Sequence, residues 1–241
     1  MHGHLARMLG STIGLGALAV AFASLAHADA KRDQAAVTAL ESAYAASAKL
    51  SGAARTTQAC ADEAAIVKAA NALPETAPGG SALDRVSWEG FRDPLISQLG
   101  NFAAVCARPD RTLKPITGGT KTADQIVAMI DASVRAAVDA GKPRDVPADL
   151  KKIGATISAT HANASACKQK KALAKLAGTL ATPANADPAR WKAAGDALAS
   201  ALADLGTAAC SSPRGADEDI SAAVAAAHDA HLQLVLAITP R

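Results

Sequence analysis

Four cysteines are the residues whose type and spacing point most directly to chemistry. Cys60 and Cys106 stand 46 positions apart in the chain, and Cys167 and Cys210 stand 43 apart. The sequence contains no Cys-x-x-Cys motif, which excludes zinc ribbons, thioredoxin-like redox sites and c-type haem attachment. In an exported chain, an even number of cysteines predicts disulfides instead.

The N-terminus predicts that the chain is exported. A basic residue, Arg7, precedes an apolar stretch over residues 8–25 and the small-x-small sequence Ala26-His27-Ala28, which are the three parts of a secretory signal peptide. We therefore expect residues 1–28 to be a signal peptide cleaved near Ala28, which leaves a periplasmic or secreted chain. A cut after Ala30 and an uncleaved anchor are the alternatives. No later apolar run reaches the roughly 20 residues that a membrane helix needs, so we expect no span in the mature chain.

Two histidines near the C-terminus are the candidates for a metal site. His228 and His231 stand three apart, a spacing that places two imidazoles on one side of a helix, where they could share a metal ion. The apolar neighbours of His231 favour a core or interface histidine instead, and no Glu-x-x-His companion completes a metal centre within a helical bundle. We expect no bound metal and no cofactor.

Two tryptophans and a lysine strip are the candidates for binding a ligand or a partner. In a chain with few large side chains, Trp88 and Trp191 would fill the core, or else form a ligand cleft or a partner contact. Lys168, Lys171 and Lys175 have the three- and four-residue spacing of one helix face. That face is either solvated or docks an acidic protein or an anionic lipid.

The groups that catalysis needs are missing from the sequence. It contains no G-x-S-x-G elbow, and paired cysteines leave no thiol nucleophile. Adjacent carboxylates such as Asp62 and Glu63 point to different sides of a helix, so they are poor acid and base partners. Residues 118–122 resemble the tail of a phosphate-binding loop but lack its first glycine. We therefore predict no catalytic residue and a protein that is not an enzyme.

Composition indicates an all-helical fold. The chain contains 64 alanines among 241 residues, whereas aromatic residues make up only 2%. Alanine is the best helix former, and the residues that favour strands never gather into alternating runs. A net charge of +3 is too balanced to predict a polyanionic partner, and the shortage of aromatic residues argues against stacking on nucleic acid bases.

The positions of cysteine and tryptophan suggest an internal repeat. Trp88 precedes Cys106 by 18 positions and Trp191 precedes Cys210 by 19, and the two tryptophans stand 103 positions apart. Such self-similarity is typical of duplication. A looser match aligns the helix that starts near Asp33 with the helix that starts near Asp124. The alternative explanation is that alanine-rich helices resemble one another by composition alone.

We expect a disulfide-stapled bundle of about seven helices, in two related three-helix units and a C-terminal helix. The predicted helices cover residues 33–50, 53–73, 81–106, 122–140, 148–180 and 187–210, with a linker at 211–215. Asp93-Pro94 is a helix start signal, so the Trp88 helix is a candidate to break near Gly90. The predicted domains are the signal peptide (1–28), a first unit (29–110), a second unit (111–212) and the terminal helix (213–241).

This arrangement also predicts which cysteines pair. Cys60 lies near the start of one helix and Cys106 at the end of the next, so an antiparallel hairpin brings both to the same end. Cys167 and Cys210 have the same relation. We predict these two disulfides among the three possible pairings of four cysteines.

Exclusion of the other classes leaves a binding function. We expect an exported, non-enzymatic protein that recognises another exported protein through a helical face, as an accessory, inhibitor or immunity-type protein would. The alternative is a carrier of a small ligand or a metal in a cleft between the helical units, with His228, His231 and a tryptophan as candidates.

Overall fold

A computed structural model describes residues 15–108, 112–113, 121–160, 163–206, 210 and 217–241. In that part of the chain nine α-helices and one antiparallel pair of two-residue strands confirm the predicted all-α class. The elements are α1 (Leu15–Ala48), α2 (Gly52–Ala61), α3 (Glu63–Asn71), α4 (Arg85–Cys106), β1 (Thr112–Leu113), β2 (Lys121–Thr122), α5 (Ala123–Gly141), α6 (Ala148–Ser158), α7 (Asn163–Ala177), α8 (Pro188–Asp204) and α9 (Asp217–Ala237). The first 14 residues of the predicted signal peptide and the predicted linker at 211–215 lie outside the described residues.

The helix count exceeds the predicted seven because two predicted helices are divided. Asp62 separates α2 from α3, and its carboxylate accepts a hydrogen bond from Gln58 Nε2 at 2.9 Å. Aspartate competes with the helical backbone for hydrogen bonds, so it favours helix ends over helix interiors. The predicted helix over 148–180 is likewise divided, since α6 ends at Ser158 and α7 begins at Asn163.

Two predicted helix starts are confirmed by their caps. Thr122 Oγ1 accepts from the Gln125 backbone N–H at 3.3 Å, and Gln125 Oε1 accepts from the Thr122 N–H at 3.0 Å. These two bonds form a capping box at the start of α5. At the start of α8, Asp187 accepts from two backbone N–H groups and Pro188 occupies the first helical position.

The prediction that the Trp88 helix breaks near Gly90 is wrong. The helix that carries Trp88 does not break at Gly90: α4 is continuous and contains Pro94. Proline removes the N–H that would bond to the carbonyl of Gly90. Gly90 and Pro94 both lie on the exposed face, where water can bond to that carbonyl. The true N-cap of α4 is Asp84, whose Oδ1 accepts from the Ser87 N–H at 2.8 Å.

The helices form two groups of similar design. In the first group, α4 packs most extensively on α5, while α1 packs on α3 and α5. In the second group, α8 packs most extensively on α9, while α6 packs on α7 and α9. The two hydrophobic cores follow this division: one is built from residues of α1 to α5 together with Leu236, and the other from residues 146–238.

Matching hydrogen bonds occur at the start of the tryptophan helix in each group. The Trp88 N–H bonds to the Asp84 carbonyl at 3.1 Å, and the Trp191 N–H bonds to the Asp187 carbonyl at 2.9 Å. In both groups an aspartate therefore caps the helix four residues before the buried tryptophan. The loops before these caps match as well, because Ser81 N–H bonds to Pro78 O and Ala186 N–H bonds to Pro183 O, each at 3.1 Å.

The looser sequence match treats α1 and α5 as equivalent helices of two units, but the packing places them side by side in the same group. Both helices lie in the first core, where Val37 and Leu40 of α1 are buried together with Val134 and Ala137 of α5. By packing, α5 corresponds to α9, and α1 corresponds to α6. The division of the chain into domains at residues 110 and 111 stays a prediction, while the two cores divide between Ala140 and Val146.

Both predicted disulfides are present. Cys60 of α2 is bonded to Cys106 at the end of α4, with their Cα atoms 5.2 Å apart, and Cys167 of α7 is bonded to Cys210, with a Cα separation of 5.5 Å. Each bond joins a helix that comes earlier in the chain than the tryptophan helix, α2 or α7, to the C-terminal end of the tryptophan helix or to a residue just beyond it. Disulfides persist in oxidising compartments, so these two bonds are typical of an exported protein.

A buried arginine ties the two groups together. The Arg144 side chain is fully buried, and its guanidinium pairs with the Asp139 carboxylate at 2.8 Å. It also donates to the carbonyls of Asp139 and Lys142 at the end of α5, and to the carbonyl of Ile238 just after α9 at 3.1 Å. The Arg144 N–H bonds to the Gly80 carbonyl in the loop before α4 at 2.8 Å. One residue therefore joins the ends of α5 and α9 to that loop.

Helix α1 contains the predicted cleavage site, and α9 contains an apolar segment of membrane-spanning length. Helix α1 runs through the predicted cleavage site, and its contacts include a close approach of Ala30 to Gly79, where a Cβ added to the glycine would lie 2.6 Å from the Ala30 Cβ. At the other end, the segment Glu218–Ala237 is long and apolar enough to cross a membrane by length and composition. A core helix has the same character, and Leu234 and Val235 of this segment are buried in the second core.

Candidate functional site

A polar cluster lies where the two helix groups meet. Asp84 at the start of α4 faces His228 of α9, and His228 Nε2 lies 2.9 Å from Asp84 Oδ2. Ser158 at the end of α6 donates to the same carboxylate oxygen at 3.2 Å. Ser87 Oγ lies 3.4 Å from His228 Nε2. Three helices that are distant in sequence therefore place an acid, an imidazole and two hydroxyl groups together.

The cluster separates two clefts. The outer one, called here the polar cleft, has a volume of about 480 Å³ and is lined by Asp84, Ser158 and His228 together with Val86, Thr160 and Asp229. The inner one has a volume of about 380 Å³ and is lined by His231 and Leu232 together with Asp84, Ser87 and Ser158. Both volumes lie in the range of small-molecule sites.

The local sequence explains the position of Asp84. It is the N-cap of α4, so its backbone is extended and its side chain turns back over the first helical turn. The preceding segment is held in an unusual conformation, because Ala82 has a φ of 64°. A residue with a Cβ rarely adopts this left-handed region, and residues held there often lie at functional sites.

The cluster keeps the Asp84 carboxyl ionised. Burial by itself would raise the pKa of Asp84, but hydrogen bonds from the Ser87 backbone, from His228 and from the Ser87 side chain outweigh burial and lower the pKa to about 2. A carboxylate that accepts several hydrogen bonds is stabilised in its charged form. Asp84 is therefore a negatively charged acceptor at any physiological pH.

His231 lies deeper and has a different role. Its Nε2 donates to the Leu150 carbonyl of α6 at 3.0 Å. Gly154 makes room for the ring, since a Cβ at that position would lie 2.5 Å from His231 Cε1. Burial lowers the pKa of His231, which favours the neutral ring. His231 therefore packs α9 against α6, in agreement with its interpretation as a core or interface histidine.

The Ser, His and Asp side chains do not have the geometry of a nucleophilic triad. In a triad the carboxylate and the serine contact different ring nitrogens of the histidine. Here Asp84 and Ser87 both approach Nε2 of His228. An Nε2–H that donates to Asp84 leaves no lone pair to accept the Ser87 proton. The arrangement orients a histidine but does not activate a serine.

The two histidines are not arranged around a common metal position. His228 bonds to Asp84 and His231 bonds to Leu150, so their Nε2 atoms bind different groups. Within the described ranges no group of three His, Cys, Asp or Glu residues is close enough to hold a metal ion. The glycines and threonine at 118–120 of the phosphate-loop resemblance lie outside the described residues.

Acid is expected to weaken the contact between α6 and α9. The pKa of His231 lies below its ordinary value of about 6.5 in the folded chain, so the unfolded chain binds more protons as the pH falls through that value. The contribution of the neutral His231 ring to the free energy of unfolding is therefore fully present above about pH 6.5. It declines as the pH is lowered from 7 to 5. Urea unfolding at pH 7, 6 and 5 measures it, with His231→Gln as the comparison. An equal decline in the variant would contradict this role of His231.

Both tryptophans are core residues. Trp88 is fully buried in the first core and its Nε1 donates to the Pro74 carbonyl at 2.8 Å. Trp191 is 5% exposed and belongs to the second core. Trp191 also lines a surface groove of about 490 Å³ between α7 and α8, called here the α7–α8 groove.

The lysine strip borders this groove. Lys168, Lys171 and Lys175 are exposed on α7. Ala174 and Gly178, which line the groove, stand three residues beyond Lys171 and Lys175 respectively. Residues three apart on a helix are neighbours, so the lysines lie along the α7 edge of the groove. Lys170, beside them in sequence, is instead partly buried and donates to the Gly206 carbonyl at 3.3 Å.

Sequence reasoning missed Asp84, Ser87 and Ser158. A signal for Asp84 was available, because an aspartate stands four residues before each tryptophan, at 84 and at 187. No local pattern relates Ser158 to His228, since only the packing of α6, α4 and α9 brings these residues together.

Comparisons with known protein families, with curated proteins and with solved structures find no match for this chain.

Proposed function

We propose that the chain is an exported, non-enzymatic binding protein that recognises another exported protein through a helical face, as an accessory, inhibitor or immunity-type protein does. The observation that carries the proposal is the α7–α8 groove. Its floor contains Trp191, Leu198 and Leu234, and its α7 edge carries three exposed lysines. Grooves of this kind accept an amphipathic helix, with apolar residues on the floor and charges at the edge.

The chemistry of the groove indicates what its partner presents. Small residues on both edges, Ala174 on α7 and Gly178 just after it, and Gly195 and Ala199 on α8, allow another helix to approach closely. On the α8 edge, Lys192 and Asp196 pair at 2.6 Å, so that edge is close to neutral. The lysines of α7 then give the groove a net positive edge, which fits an acidic amphipathic helix of the partner.

Two features support export. The disulfides Cys60–Cys106 and Cys167–Cys210 are typical of oxidising compartments. The basic start, apolar stretch and Ala26-His27-Ala28 sequence support a signal peptide that is cleaved near Ala28. A mature chain that begins at Asp29 keeps Gln34, whose amide donates to the carbonyls of Gly79 and Gly141 at 2.9 Å. The contacts of α1 with the loop before α4 and with the end of α5 are thus retained after cleavage.

A comparison of baits tests the partner proposal. We expect the immobilised wild-type chain to capture one protein in stoichiometric amount from an extract of the exported proteins of its own organism. Ala199→Trp fills the groove, and the double variant Lys171→Glu and Lys175→Glu reverses the charge of its edge. Both should lower capture at least about tenfold, because the first blocks the apolar floor and the second opposes an acidic partner.

Ala197→Trp is the matched control. Ala197 is exposed on the same helix but does not line the groove, so this variant should capture as the wild type does. Capture that is equally strong with Ala199→Trp would contradict the proposed face. Absence of any stoichiometric partner for the wild-type chain would contradict a protein-binding function.

A second candidate function is supported by the polar cleft. A carrier of a small ligand would use a cleft between the helical units, and the polar cleft lies where the two helix groups meet. Ligand sites commonly occur at such junctions. His228, which the sequence singled out, lines this cleft, and His231 lines the inner one.

A further inference from the structure

The polar cleft is rich in hydrogen-bond acceptors. Asp84 Oδ2 accepts from the Ser158 hydroxyl and from His228 Nε2, and Asp84 Oδ1 accepts from the Ser87 N–H. The Asp84 side chain is nevertheless 37% exposed and lines the cleft. The negative charge of this carboxylate is therefore accessible to a cation in the cleft.

The hydroxyl groups beside Asp84 also present lone pairs. Ser158 donates its proton to Asp84, and Thr160 donates its proton to the Ile157 carbonyl. Each hydroxyl oxygen thereby keeps its acceptor function for a ligand. These three residues line the same cleft, so a ligand that donates several hydrogen bonds fits it better than one that accepts them.

The charges around the cleft favour a cation. Asp84 and Asp229 both line it. The basic residue at its mouth is Arg85, which is 73% exposed and paired with Glu89 at 2.6 Å. Helix α6 ends beside the cleft at Ser158, and the C-terminal end of a helix carries partial negative charge. The N-terminal end of α4 has the opposite sign, but Asp84 already caps it.

The rest of the lining is apolar. Val86 is 69% exposed, the highest value among the large hydrophobic side chains of the described residues, and it lies at the mouth of the cleft. Ile157, Val224 and Ala225 line the cleft as well. An aliphatic body of a ligand would cover this surface, which water otherwise contacts.

We propose that the polar cleft binds a primary ammonium group carried on a short aliphatic body. The ammonium pairs with the Asp84 carboxylate and donates hydrogens to Ser158 Oγ and Thr160 Oγ1, and the aliphatic body lies against Val86, Val224 and Ala225. This inference names the ligand class for the second candidate function, the small-ligand carrier, and is independent of the partner proposed for the α7–α8 groove.

Titration calorimetry of the full chain with hexylammonium chloride at pH 8 tests the inference. We expect saturable one-to-one binding to the wild type. Asp84→Asn keeps a capping side chain at the start of α4 but removes the charge, so it should weaken binding at least about tenfold. Ala225→Trp fills the cleft from an exposed position and should abolish binding. Ala222→Trp, exposed on the same helix outside the lining, should bind as the wild type does.

Hexanoate and hexanol have the same aliphatic body without the ammonium. Neither should bind measurably at concentrations where hexylammonium saturates the chain. Three results would overturn the inference: no binding of hexylammonium, equal binding of hexanoate or hexanol, or unchanged affinity in Asp84→Asn. Ala199→Trp, which fills the α7–α8 groove, should leave hexylammonium binding unchanged, so failure of this inference and failure of the partner proposal are distinguishable.

Discussion

Replacing Arg144 by methionine is expected to lower the free energy of unfolding by about 3 kcal/mol, since hydrogen bonds to a charged group contribute about 1.5–3 kcal/mol each. The guanidinium has no exposed surface and serves three backbone carbonyls and the Asp139 carboxylate. Methionine fills part of the space but donates nothing, so those acceptors lose their partners. Urea unfolding of wild type and variant, followed by circular dichroism, measures the difference.

Arg241→Met is the control for this prediction. Arg241 pairs with Asp145 at 3.1 Å in the same region, but both side chains are 62% exposed. Exposed ion pairs contribute about 0–1 kcal/mol, so the control should change stability little. If Arg144→Met cost no more than Arg241→Met, Arg144 would not hold the two helix groups together.

Removing the Cys60–Cys106 bond by replacing both cysteines with alanine is expected to cost about 4 kcal/mol, the loop-closure value for a separation of 46 residues. The bond restricts the unfolded chain, and it matters here because alanine-rich helices bury little apolar surface per residue. The same change at Cys167 and Cys210, which are 43 residues apart, should cost nearly as much. Urea unfolding of the two double variants beside the oxidised wild type measures both.

The comparison between the two bonds is the informative part of that experiment. Similar losses would support chain restriction as the main contribution, because the two loops are nearly equal in length. The residues packed around Cys167 and Cys210 form a small separate cluster with Ala166, Leu205 and Ile220, whereas Cys60 and Cys106 lie beside the large first core. A loss confined to one double variant would show that local packing, and not loop closure, determines the contribution.

Features that depend on near neighbours in the sequence were predictable. The capping box at Thr122 and the cap at Asp187 followed from short motifs. The cysteine pairing joins residues 46 and 43 positions apart, but it followed from the predicted order of the helices. The proline signal at Asp93-Pro94 was misleading because its effect depends on exposure: the carbonyl that Pro94 leaves without a partner faces water, and the helix continues.

Features that depend on how helices pack were not predictable from one sequence. Arg144 lies in a segment that resembles an ordinary connection, yet it contacts the nearby end of α5 and also Ile238 just after α9, which is 94 positions away in the chain. The candidate site has the same character, since Asp84, Ser158 and His228 come from three helices and share no motif. The core to which α5 belongs was not predictable either, because the spacing of its apolar residues fits either of the two neighbouring cores equally well.

Site-specific photo-cross-linking in cells of the native organism tests the binding function most directly. A benzophenone side chain placed at position 182 lies at an exposed end of the α7–α8 groove, and one placed at position 197 lies on α8 outside it. The proposal predicts a cross-link to one exported protein from position 182, absent from position 197 and lost when Lys171 and Lys175 are changed to glutamate. No cross-link from position 182, or the same products from both positions, would contradict it.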